Sequence, residues 1–122
     1  MPRSIDSNTT AEKTQPLVID YCNNTVIKEM KSLPEVVRDQ FLMNLELRSV
    51  GLDLEIPIDH LSEIEPGVIE LKINGSPAYR LVYSTKFTGK LVVLAARPKT
   101  TEGRDKKLIE AVTSRLKAYR RK

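Results

Sequence analysis

The residues with the clearest chemical potential sit in two short alternating runs. In VIELKI, residues 68–73, and AYRLVY, residues 78–83, one face takes Ile69, Leu71, Ile73, Tyr79, Leu81 and Tyr83, and the other takes Lys72 and Arg80. NGSP, residues 74–77, is turn chemistry, so the runs predict a hairpin. Side chains directly opposite in such a pair lie about 5 Å apart at Cβ, which brings two cations together. An anion between them relieves their repulsion. Arg97 and Lys99, just after the apolar run LVVLAA, can join the same concavity. Phosphate suits the set, because Arg binds it bidentately and Lys as a point charge. The alternative is an exposed sheet face on which Lys72 pairs with Glu70 or another carboxylate.

Charge along the chain points to the same kind of ligand. The 122 residues carry a formal net charge of +4, but residues 1–70 hold 13 acidic against 6 basic side chains, and residues 71–122 hold 3 against 14. A basic pole of this kind attracts polyanions through counterion release; a solvated helix face with a basic tail is the plainer reading. The lone Cys22 cannot close an intrachain disulfide, and one histidine without paired cysteines gives no zinc site, so neither metal nor cofactor is expected. The sequence has no apolar run of membrane-spanning length and its N-terminus has no signal-like apolar core. The expected setting is cytoplasmic, without a membrane partner.

Positioning these residues takes few elements. Residues 1–16 are polar and aperiodic and read as a flexible tail ahead of a single domain over residues 17–122. LVIDY, residues 17–21, predicts a strand. Asn23, Asn24 and Thr25 offer a cap to a short helix carrying Val26, Ile27, Met30 and Leu33. Pro34 opens a second helix, with Val37, Phe41, Leu42 and Leu45 on one stripe and Gly51 as its stop. Residues 52–67, with Pro57, Pro66, Gly67 and His60, read as an ordered connection. Residues 91–96 are apolar on both faces, as in a central strand covered on both sides. Leu108, Ile109, Val112, Leu116 and Tyr119 then mark a basic amphipathic helix. The prediction is an α+β domain, an N-terminal strand plus a three-stranded antiparallel meander packed against a helical hairpin and a C-terminal helix, with the helices on one face.

The succession GVIELKI, AYRLVY, the apolar strand ending AARPKT and the helix ending SRLKAY, with Leu33 and Pro34 between two upstream helices, resembles the RelE/HigB superfamily of toxins from toxin-antitoxin modules, in particular its phage-derived HigB-like branch. The resemblance covers about residues 17–122. It implies a RelE-like fold, ribosome-dependent mRNA cleavage that inhibits translation, and neutralisation by a cognate antitoxin, a small helix-turn-helix protein. Lys72 stands at the family's basic E-L-R or K-L-K position, Arg80 at its Y-R arginine and Lys99 at the first lysine of its L-H-A-F-x-K-K strand end. There the chain departs from the family: Ala95 replaces the histidine, Arg97 the phenylalanine and Thr100 the second lysine.

Metal-free RNA cleavage by the ribose 2′-hydroxyl needs a base, an acid and cations on the phosphorane. The catalytic candidates are therefore Lys72, Arg80, Arg97 and Lys99, with Lys72 as base if neighbouring cations depress its pKa. His60 is a participant or a bland loop residue, Glu70 a charge partner of Lys72, and Tyr119 a core residue by its period. The rival readings are a non-catalytic ParE-like gyrase inhibitor and a degenerate toxin that only binds nucleic acid or antitoxin.

Overall fold

The computed structural model describes residues 15–122, in the order β1 (Val18–Tyr21), α1 (Asn24–Ser32), α2 (Glu35–Ser49), β2 (Ile58–His60), β3 (Val68–Ile73), β4 (Ala78–Ser84), β5 (Lys90–Lys99) and α3 (Lys106–Arg120). The expected tail over residues 1–16 lies, except for Gln15 and Pro16, outside the described residues. Among the described residues no helix is long and apolar enough to cross a membrane.

Local chemistry accounts for the helix ends. Asn23 caps α1, its side-chain oxygen accepting the Val26 N–H at 2.9 Å. Leu33 is extended, as the residue before a proline must be, which separates α1 from α2. Pro34 is the N-cap of α2 rather than part of its first turn, and its carbonyl accepts the Arg38 N–H at 2.9 Å. At the other end Gly51 takes φ 81, and the bonds Gly51 N–H to Arg48 O and Leu52 N–H to Leu47 O close a Schellman motif.

The α+β prediction holds. The sheet order is β1-β5-β4-β3-β2, with β1 parallel to β5 and every other pair antiparallel. Leu91 to Ala96 of β5 are each at most 1% exposed, as a strand apolar on both faces requires. The fifth strand, β2, lies inside the stretch read as a connection. It is three residues long, too short to show a period, and exists because β3 offers it a ladder: Ile58, Asp59 and His60 pair with Leu71, Glu70 and Ile69.

The helices divide between both faces of the sheet, not one. Arg48 of α2 lines one groove with Ile69 and Tyr83, so the helical hairpin covers the Ile69–Leu71–Leu81–Tyr83 side. Leu108 and Ile109 of α3 line a cleft with Glu70, Lys72 and Arg80 on the other side. Val68, Val82 and Ser84, which alternate with the first set, are buried as well, so that face was never free to stay polar along its length. Only its far end, beyond the first turn of α3, stays open.

Candidate active site

That open end is the cleft. The hairpin register pairs Lys72 directly with Arg80, and Arg80 with Arg97 on β5, so the three cations occupy one row across three strands. Lys72, Arg80 and Lys99 line a cavity of about 410 Å³ together with Asp59, His60, Glu63 and Glu70 and the segment that leads into α3, Gly103 to Asp105. Asp105 is occupied there as the cap of α3, accepting the Leu108 N–H at 3.1 Å. Arg104 and Glu63, 3.6 Å apart, meet across the rim.

Arg80 is the unusual member. Its side chain is only 8% exposed, yet Nη1 donates to the neighbouring Tyr79 carbonyl at 3.0 Å and its carboxylate neighbour, Glu70 Oε2, stands 3.9 Å from Nε, beyond hydrogen-bond reach. Most of its donors therefore have no partner among the described residues. Buried charge normally occurs paired and hydrogen-bonded, so the guanidinium is poised to take an anion.

Glu70 is the second. Burial pushes its carboxyl up; Arg80 draws it down, Asp59 pushes it up again, and Lys72 and Lys99 draw it down, leaving it raised above 4.5. A carboxyl so placed is a stronger base than an exposed one. Lys72 does not pair with it. The Lys72 ammonium donates to Asp59 across the β2–β3 ladder at 3.0 Å, so its hydrogen-bonded partner is a carboxylate of the neighbouring strand. Sequence reasoning does not reach Asp59 because it does not reach β2, and it gives Glu70 no special weight because burial of a charged residue in an alternating strand leaves no trace in the sequence. His60, paired with Ile69 at the end of β2, is exposed and stands at the rim between this cleft and the groove beside α2.

Arg97 goes elsewhere. Although in register with Arg80, its guanidinium bonds Glu29 of α1 at 2.8 Å and lines a separate groove with Leu33, Pro34 and Tyr79. Strand β1 ends at Tyr21, paired with Val93, so beyond that point β5 has a bare edge. Glu29 and Arg115 close it: Glu29 accepts the Ala96 N–H at 3.1 Å, Arg115 donates to the Leu94 carbonyl at 2.8 Å, and the two bond each other at 2.9 and 3.0 Å. The structure thus brings three of the four candidate cations together and builds the fourth into an edge cap. Tyr119 also stays out of the cleft. Its ring packs edge-on against Phe87, and its hydroxyl donates to Asp20 at 2.6 Å and accepts from Lys90 at 3.0 Å.

The family model for phage-derived Gp49-like proteins (DUF891) matches residues 28–117, most of the chain, and spans every residue of the cleft. No curated protein matches the chain.

Proposed function

The chain belongs to the phage-derived Gp49-like family, a family of toxin-antitoxin toxins related to RelE and HigB that implies a cognate antitoxin, and on that premise we propose that it is a metal-independent mRNA endoribonuclease acting on the translating ribosome. The observation that carries this reading is Arg80, a nearly buried guanidinium with donors to spare beside Lys72 and Lys99. A phosphodiester seated on it meets the charge that develops in the transition state.

The chemistry then divides among named groups. Glu70 takes the proton of the ribose 2′-hydroxyl, whose oxygen attacks the adjacent phosphorus. The bond to the 5′-oxygen of the next nucleotide breaks, and that oxygen takes a proton from the cleft rim, where His60 is the available imidazole. Arg80 and Lys99 hold the phosphorane charge. Lys72, steadied by Asp59, fixes the scissile phosphate. Arg97 is left out of this set because Glu29 already holds it. The product is a 2′,3′-cyclic phosphate and a free 5′-hydroxyl, which balances without an added reactant. A helix-turn-helix antitoxin as the neutralising partner completes the reading.

Mapping mRNA 5′ ends after brief expression of the wild type and of Arg80→Ala, with a translation-blocked control, tests it. New ends inside translated codons that vanish with Arg80 and with stalled translation are the expected result. Growth arrest without new ends overturns the nuclease reading, and gyrase-dependent DNA damage in its place establishes the ParE-like alternative.

A further inference from the structure

Helix α2 has a second apolar stripe that the fold does not use. Its core side carries Phe41, Asn44 and Leu45, buried, with Val37 and Leu42 partly so. On the other side Val36, Gln40, Met43 and Leu47, followed by Val50 at the C-cap, keep the alternating four- and three-residue steps of a coiled-coil seam. Val36 is 70% exposed, Met43 50% and Val50 46%. Single exposed aliphatics need no explanation. Three of them one heptad apart, on a helix already packed through its opposite side, form a continuous seam that calls for a second partner.

Charge beside the seam selects that partner. Asp39 and Glu46, exposed and themselves one heptad apart, occupy the flanking g-type positions. The basic residues of α2 face away from them: Arg38 donates to the Lys31 carbonyl, and Arg48 lines the groove that holds Tyr83. A second copy of this chain fits poorly. In an antiparallel pair the acidic rows would oppose each other, and in a parallel pair they would meet Val37 and Asn44, which the first copy's own core already holds. Residues 1–14, MPRSIDSNTTAEKT, contain no heptad-spaced apolar set to fill the seam from within the chain.

We propose that the outer face of α2 docks an amphipathic helix of another protein, one with heptad-spaced aliphatic residues and a flanking row of Lys or Arg. The surface lies across the sheet from the catalytic cleft and stands whether or not the cleft cuts RNA. It would hold a partner helix by apolar contact and set its register by charge.

Two peptides of about four heptads test this, each with Leu at a and d, one with Lys and the other with Glu at e and g. The amides of residues 36, 40, 43, 47 and 50 are followed by NMR. Saturable shifts at those positions with the Lys peptide and not the Glu peptide are expected, weakened at least roughly tenfold by Met43→Asp. The double variant Asp39→Lys/Glu46→Lys should exchange the preference. These positions are exposed, so an unchanged spectrum elsewhere shows that the variants fold. No shifts on α2, equal shifts with both peptides, or a dimer seen by light scattering that Met43→Asp disperses would each overturn the proposal. Retained RNA cleavage in Met43→Asp separates this outcome from that of the cleft.

Discussion

Two arginine–carboxylate clusters, one on the β5 edge and one in the cleft, draw on neighbouring residues of a single cross-strand row and have opposite characters. At Glu29 both carboxylate oxygens are engaged: they take Arg97, Arg115 and the Ala96 N–H, and Arg115 also reaches the Leu94 carbonyl. At Glu70 the carboxylate and Arg80 are more deeply buried yet stand 3.9 Å apart without a hydrogen bond between them. The same residue types therefore serve two ends. A closed cluster finishes a sheet edge that would otherwise leave backbone groups unpaired. An open one keeps its charge unsatisfied, which costs stability and leaves it available to a ligand.

The difference has measurable consequences. The largest concern the open cluster: Glu70→Gln should lower mRNA cleavage by ~10²–10⁴-fold through loss of the base, and Arg80→Ala by ~10²–10³-fold through loss of phosphorane stabilisation. Both should melt in urea within about 1 kcal/mol of the wild type, since neither breaks a closed hydrogen-bonded pair. If Arg80→Ala unfolds the chain instead, the cleft arginine is structural and the contrast collapses.

The closed cluster should respond the other way. Glu29→Ala leaves Arg115, 13% exposed, without its carboxylate and the Ala96 N–H without an acceptor, and should cost about 3 kcal/mol in urea unfolding. Cleavage per folded molecule should be unchanged.

Acid titration sharpens the contrast further. Burial pushes the Glu29 carboxyl up, but the Arg115 hydrogen bond, the Ala96 N–H and the two arginine charges outweigh it and hold the group below 4.5. Its native form is thus the one that sheds its proton more readily, so its contribution is present above 4.5 and is lost as pH falls through the lower folded value. Glu70 has the reverse sign. Its raised carboxyl binds more protons folded than unfolded, so its contribution is present below 4.5 and is lost as pH rises from there through its folded value. In stability–pH curves Glu29→Gln should flatten the acid-side loss, and Glu70→Gln should remove the decline above 4.5. Curves that respond alike to both changes would show that the clusters do not differ in kind.

The smallest effect is expected at Arg97. With a side chain 27% exposed and Glu29 still held by Arg115, Arg97→Ala should cost about 1 kcal/mol and leave cleavage within roughly threefold of the wild type. A hundredfold loss of cleavage would return Arg97 to the catalytic set.

Much of this architecture can be read from the sequence. Alternation in VIELKI and AYRLVY puts Lys72 and Arg80 on one face, because a one-residue slip would carry Leu71 and Leu81 out of the core, and the short NGSP turn between the runs sets the register that pairs them. Asn23, Pro34 and Gly51 mark the helix ends through capping chemistry that needs only neighbours in the chain. The double-sided hydrophobicity of residues 91–96 identifies the central strand, and the basic C-terminal half is plain from composition.

What the sequence does not contain is where long-range partners come from. β2 is a strand only because β3 lies beside it. α3 lies across the face that carries Lys72 and Arg80, which buries Arg80 and Glu70 and turns an exposed polar sheet face into a cleft. Arg97 turns from the row it shares with Arg80 because β1 stops one strand away and leaves an edge for Glu29, 68 residues distant in the chain, to close. Local periodicity determines which side chains share a face, since that follows from backbone geometry alone. Whether a charge on that face is satisfied or left open depends on groups brought from elsewhere, and that the tertiary structure alone decides.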